Sequence, residues 1–283
     1  MDPLQSMVQF VLPGIVGLVT GSVVGAALAS RGVRAATALE GHQSLAWTVI
    51  VVGGALVWAL YTGRIQDLLP TGLQPQAELV LHPGATLLAS SVVGFLVLLE
   101  RRAWAQADQR RPLVLGVCVS LALLGYLGWL SLPVRPTEDL AVDGVVFQTT
   151  PFTCAAASIA TIARWTDVAP GLTEGEAAAL ARTTFGGTLA SGELRAFAAL
   201  GLSARFGRRL SVDSLFAHPG PAILHVNERL PGGRRIRHAV ALLAVDSTAG
   251  TIRIGNPLEG VQLLSFAALD AYWIGEAIFV DTP

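Results

Sequence analysis

The 283-residue sequence predicts two regions of different solvent: an N-terminal region of four transmembrane helices, then an α+β domain in which helices precede an antiparallel sheet. Three observations lead there. The chain is 52% hydrophobic and only 14% charged, and the apolar excess lies almost wholly within residues 8–133. Four runs in that half approach the ~20 apolar residues that cross a bilayer. Beyond them the apolar period becomes that of short helices and then the alternation of strands. The expected boundaries are 1–133 for the transmembrane domain and 134–283 for the second domain.

The four runs are 11–30, 45–62, 79–99 and 113–132, and none contains Asp, Glu, Lys or Arg. The first lacks a basic start and a small-residue cleavage site before a soluble region, so it reads as a retained helix rather than a signal peptide. Its Gly14, Gly17, Gly21 and Gly25 recur every three or four residues, a spacing that lets helices approach closely. Ser90 and Ser91 are expected to bond their own helix backbone. With no charged group inside any run, the helices read as an anchor rather than a conduit. Arg31, Arg34, Arg101, Arg102, Arg110 and Arg111 fall in loops on one side, against Arg64 and Arg135 on the other. Positive loops stay in the cytoplasm, which puts the second domain outside it.

A net charge of -1 gives no electrostatic case for nucleic-acid binding. Every basic residue apart from histidine is arginine. Of the two cysteines, Cys118 lies inside an apolar run and Cys154 outside it, so neither a disulfide nor a cysteine-based zinc site is expected.

Leu132-Pro133-Val134-Arg135-Pro136 is a stiff linker that stops the last apolar helix. After it, 154–165 reads as a helix with Ile159, Ile162 and Ala163 on one face. A second helix spans 173–183, where Thr173 and Glu176 form a capping-box pattern. The third, 191–200, ends at Gly201. Strands follow at 221–226 and 235–245, joined through Leu230-Pro231-Gly232-Gly233. A further pair, 251–254 and 261–266, surrounds Asn256-Pro257, and the last strand is 277–280.

Chemistry concentrates in four residues. Cys154 stands at the start of a helix, where the positive end of the dipole favours thiolate over thiol. Gln148 lies six residues upstream and can donate, with the Cys154 N–H, to a developing oxyanion. His238 alternates with apolar neighbours on its strand and can serve as base. Asn256, in the turn eighteen residues later, can fix the imidazole tautomer. His225 on the neighbouring strand is the rival base.

With these residues in place, the stretch 145–280 resembles the papain-fold cysteine peptidases that remove double-glycine leaders from bacteriocins and related peptides. The resemblance rests on the Gln148 to Cys154 spacing, on Gly201-Leu202-Ser203-Ala204, on Pro221-Ala222-Ile223-Leu224-His225, on His238-Ala239-Val240-Ala241-Leu242 and on Asn256-Pro257. It implies a papain-like peptidase fold, a Cys154, His238, Asn256 triad with Gln148 in the oxyanion hole, and a segment 201–204 that leads into a strand. In that family the residue after the cysteine is usually glycine, an aromatic often follows the histidine, and the third member is aspartate; here they are Ala155, Ala239 and Asn256. Without lysine there is no Walker A motif, and four helices are fewer than an exporter needs, so a membrane-anchored stand-alone relative is expected.

The expected activity is cleavage of a peptide or leader by thiol acyl-enzyme chemistry, at the outer face of a bacterial inner or plasma membrane. The partners are a peptide or protein substrate, membrane lipid and a separate transporter, with no cofactor, no metal and no nucleic acid. Two alternatives stand beside it: a non-catalytic peptide-docking module of the same fold, and an acyl-transferring, transpeptidase-like thiol enzyme.

Overall fold

The structure, a computed structural model, describes residues 3–31, 86–95, 128–218 and 220–281, with isolated helical positions at 84, 97, 118, 121, 122, 125 and 126. The chain forms two compact units, residues 2–132 and residues 133–283.

In the first unit, helix α1 spans Pro3–Ser30, and its Leu12–Ser30 stretch is, among the described residues, the one helix long and apolar enough to cross a membrane. Helix α2, Thr86–Phe95, is apolar but shorter. Glycine sets how closely the two pack. A Cβ at Gly17 would meet the main-chain carbonyl of Leu87, one at Gly21 that of Ser91, and one at Gly94 that of Leu18. Ser91 Oγ donates to Leu87 O at 2.7 Å and Ser90 Oγ to Thr86 O, so both hydroxyls bond their own helix. Of the other expected spans, 45–62 lies outside the described residues. Of 79–99, residues 86–95 are seen as helix, and of 113–132 the described positions from 118 to 130 are helical.

The second unit opens with a two-stranded hairpin, β1 (Ala141–Val142) and β2 (Val145–Val146), followed by helices α3 (Cys154–Trp165), α4 (Glu174–Ala181) and α5 (Ala190–Ala199). Strand β3 (Ser203–Arg208), the short helix α6 (Asp213–Phe216), and strands β4 (Ala222–Arg229), β5 (Arg235–Asp246), β6 (Thr251–Asn256) and β7 (Gly260–Ser265) come next. Helix α7 (Phe266–Tyr272) and strand β8 (Trp273–Asp281) close the chain. The six long strands form one antiparallel sheet in the order β3-β8-β4-β5-β6-β7. An antiparallel sheet preceded by helices is the α+β arrangement expected.

Capping accounts for α4: the Thr173 hydroxyl accepts from the Glu176 N–H at 3.2 Å, and the Glu176 carboxylate accepts from the Thr173 N–H at 2.9 Å. The hairpin between β4 and β5 turns on Gly232 and Gly233, at φ of 91° and 83°, where a side chain would be strained. The sheet is buried on both faces, which explains why β5 reads as a continuous apolar run rather than a strict alternation. One face, carrying Ile223, Ala239, Ala241, Leu243, Ile278 and Val280, packs on the helices through Ala156, Ile159, Ala160, Ala163 and Phe197. The other, carrying Leu224, Val226, Val240, Leu242, Ile252 and Ile254, is covered by Leu215 of α6 and Leu269 of α7. Helix α3 is buried along most of its length, and alanine is the residue that lets a helix sit so deep.

Several elements differ from expectation: helix α6 was not anticipated, and β6 runs on to Asn256, which was expected in a turn. The β1–β2 hairpin was not anticipated, being only two residues per strand. The last strand is nine residues long, because Trp273–Glu276 extend it beside β3 and β4. The expected strand end at Phe266 is instead the first residue of α7, whose N-cap Ser265 Oγ accepts from the Ala268 N–H at 3.2 Å.

Candidate active site

The loop 147–153 delivers Cys154 to the head of α3. Thr149 is held from behind by Glu174, fully buried, whose carboxylate accepts from the Thr149 N–H at 2.9 Å and from its hydroxyl at 2.7 Å. The Thr153 hydroxyl turns back to donate to Thr150 O at 3.1 Å instead of capping the helix. The leading N–H groups of the helix are therefore not masked by a side-chain cap, and those of Cys154 and Ala155 lie against the sulfur. Ser158, one turn along, donates from Oγ to Ala239 O at 3.1 Å and fastens the helix to β5. The sulfur meets the main-chain N–H of the same Ala239, next in sequence to His238.

His238 is 4% exposed. Pleat alternation sends Ala239 and Ala241 to the helix side, and puts His238 with Val240 and Leu242 on the opposite face. There its Nε2 lies 3.0 Å from Asn256 Oδ1. The orientation of the Asn256 amide follows from two further contacts. Its oxygen also accepts from the Leu258 N–H at 2.9 Å, and its nitrogen donates to Glu228 Oε2 at 2.9 Å. A main-chain N–H can only donate and a carboxylate accepts, so the atom facing His238 is the oxygen. Nε2 must then carry the proton, and Nδ1 of the neutral ring holds a lone pair.

Gln148 joins the same neighbourhood by its main chain: its N–H donates to Pro257 O at 3.1 Å, beside Asn256. Its side-chain Nε2 donates to Thr150 O at 2.9 Å, and its Oε1 is buried without a hydrogen-bond partner among the described residues. One of the two carboxamide N–H groups is thus engaged within the loop.

His225 faces the helix side, directly across from Ala239 in the β4–β5 register. Its Nε2 lies 3.0 and 3.1 Å from the two oxygens of Glu193, and its Nδ1 3.3 Å from Glu276 Oε2. Arg208 and Arg237 pair with Glu276 at 2.6 and 3.5 Å. Burial alone would push this imidazole down, but Glu193 and Glu276 together carry its pKa up to about 10. A ring with both nitrogens donating has no lone pair to offer, which removes His225 as a base.

Burial is also the main influence on the thiol. It pushes Cys154 up to about 11, against the Ala239 N–H and the helix N–H groups, with Glu193 adding to the rise. Burial thus opposes the thiolate expected at the helix head, and outweighs the main-chain N–H groups that meet the sulfur. Burial holds His238 below the ordinary histidine value, opposed by Asn256 and Glu228. Burial therefore favours the neutral form of both the thiol and the imidazole. Among the described residues no group of three His, Cys, Asp or Glu side chains is placed to hold a metal ion.

Sequence reasoning missed Glu174, Glu193 and Glu228. The signal for Glu228 was present: Ala222, Leu224 and Val226 alternate inward, and the same period carried two residues further reaches Glu228.

No protein-family model matches the chain, and no curated protein matches it. Solved structures similar to it include a double glycine motif protease from an AMS/PCAT transporter in complex with the leader peptide, with 18% identity and a TM-score of 0.41, covering 53% of this chain and 95% of the other. The peptidase domain of Streptococcus mutans ComA matches at 24% identity and a TM-score of 0.36, over 49% of this chain and 98% of the other. The peptidase domain of Streptococcus ComA, a bi-functional ABC transporter involved in a quorum sensing pathway, matches at 24% identity and 0.39, over 48% and 96%.

Proposed function

We propose that residues 134–283 form a cysteine peptidase domain, anchored by residues 1–133 as a transmembrane region, that cleaves a peptide or leader sequence by thiol acyl-enzyme chemistry. One observation carries the reading. The Asn256 amide, oriented by Leu258 and Glu228, leaves the lone pair of His238 on Nδ1, on the residue next to the one whose N–H meets Cys154 Sγ.

In this reading Nδ1 takes the thiol proton as Sγ bonds to the substrate carbonyl carbon. The resulting oxyanion is held by the Cys154 N–H and by the second carboxamide N–H of Gln148. Collapse breaks the C–N bond, and the imidazolium returns its proton to the leaving amine. Water, deprotonated by Nδ1, then attacks the thioester, releasing the acid and restoring the thiol. The substrate is a peptide with small residues before the cleaved bond, met at the extracytoplasmic face of a bacterial inner or plasma membrane and handed over with a separate transporter.

The test uses the full chain in detergent micelles with a quenched-fluorescence peptide containing Gly-Gly. Cys154→Ala should abolish cleavage, and cleavage at the wild-type rate would remove the assigned nucleophile. With both variants shown to be folded, His238→Ala should lose roughly a hundredfold or more, as expected for a general base. His225→Ala should lose far less, and equal losses would undo the assignment. The raised thiol favours a second reading, a docking module that binds the peptide without cutting it; binding of the same peptide with no turnover by wild type would establish that one.

A further inference from the structure

A buried carboxylate stands behind the imidazole and its amide partner. Glu228 lies on β4, two residues beyond Val226, which pairs directly with His238 across the β4–β5 ladder. Three donors converge on its two oxygens. Asn256 Nδ2 reaches Oε2 at 2.9 Å, the Tyr272 hydroxyl reaches the same oxygen at 2.5 Å, and the Arg229 N–H reaches Oε1 at 3.0 Å. Glu228 is buried and has no arginine partner among the described residues, unlike Glu276.

We propose that Glu228 is a positioning residue of the site: it locks the Asn256 amide with its oxygen toward His238, and it supplies across that amide the negative charge that asparagine lacks. The proposal rests on the peptidase reading for its catalytic meaning and on the Glu228–Asn256–His238 chain for its physics. An amide can orient an imidazole but cannot neutralise the imidazolium formed when the thiol proton is taken. A carboxylate one side chain further back can, because a charge acts beyond contact distance where water is excluded. Tyr272, held protonated by burial and by Glu228, keeps the carboxylate in place. The titratable groups around this chain are Glu228 on β4, Tyr272 at the end of α7 and Glu259 in the β6–β7 turn.

Two measurements on the full chain in detergent micelles test it. The first is the titration of His238, followed by NMR on histidine-labelled protein and assigned with His238→Ala. Glu228→Gln keeps the shape and the acceptor oxygen but removes the charge. It should lower the His238 midpoint by about one pH unit and leave His225 unmoved. The second is cleavage of the Gly-Gly peptide. Glu228→Gln should reduce kcat roughly tenfold with KM little changed, the pattern of a charge felt only once imidazolium forms. Asn256→Asp places two carboxylates in contact while Glu228 is present, and should be impaired. Adding Glu228→Gln should rescue it, because the glutamine amide can donate to the new carboxylate. Superimposable His238 titrations in wild type and Glu228→Gln would overturn the proposal, as would losses from Asn256→Asp and Glu228→Gln that simply multiply. The titration needs no turnover, so it decides the role of Glu228 even if Cys154→Ala proves the peptidase reading wrong.

Discussion

Asn256 is held by both ends of its side-chain amide: the oxygen accepts from His238 Nε2 at 3.0 Å and the nitrogen donates to Glu228 at 2.9 Å. Three strands, β4, β5 and β6, meet in that one side chain. An amide satisfied on both sides cannot flip without losing both bonds, so the tautomer of His238 is a property of the sheet and not of the histidine.

The thiol, pushed up to about 11, should be slow to alkylate at neutral pH. Below that value the thiolate fraction grows tenfold for each pH unit, so the iodoacetamide rate at Cys154, followed on its own peptide by mass spectrometry, should climb tenfold per unit from pH 7 to about 10. In the urea-unfolded chain the same thiol should react faster at pH 7, since an ordinary cysteine titrates near 8.5. A rate already on a plateau at pH 6 would mean a resting thiolate and contradict the burial argument.

His225 ties stability to alkaline pH. Its folded pKa is raised to about 10 by Glu193 and Glu276 against the pull of burial, while the unfolded chain titrates near 6.5. A raised folded value means that the contribution is complete below the unfolded pKa and is lost as pH rises toward the folded one. Thermal stability of the full chain in detergent should therefore fall from pH 6.5 to 10, by an amount on the order of 4 kcal/mol if this group acted alone. His225→Gln should start lower and show a flatter slope over that window. An unchanged slope would show that the imidazolium is not the group responsible.

Glu174 anchors the loop that carries Gln148. Glu174→Ala takes the acceptor from the Thr149 N–H and hydroxyl; Thr149 is itself exposed, so water can replace it, and the loss should be about 0.5–1.5 kcal/mol per hydrogen bond. Chemical denaturation should report that loss. Cleavage should fall as well, because the loop orders both the carboxamide and the helix head. Glu174→Gln, which preserves one acceptor oxygen, should recover part of both, and stability equal to wild type in Glu174→Ala would remove the anchoring role.

Much of the second unit could be read from residue order. The α3 helix, the capping box at Thr173 and Glu176 and the glycine turn before β5 follow from local rules of spacing and conformation, and they appear where those rules put them. The turn that brings Asn256 near His238 was legible for the same reason. The short pieces were not: a two-residue strand or a seven-residue helix carries too little period to register, and α7 is set by its Ser265 cap and the burial of Leu269. The β8 position between β3 and β4 was equally hidden, since pairing between strands far apart in sequence leaves no mark on neighbouring residues.

Residue identity and periodicity were enough to single out Cys154, Gln148, His238 and Asn256 as candidates and to put Cys154 on a helix and His238 on a strand, because side-chain chemistry and the repeat of helix or strand are local properties. The protonation states came from elsewhere. Which imidazole nitrogen faces the Asn256 oxygen, why both nitrogens of His225 face carboxylates, and why the thiol is favoured over the thiolate all depend on carboxylates, main-chain groups and burial contributed by segments dozens of residues apart. Solvent exclusion and charge act through space, so they exist only once the sheet has closed around these groups.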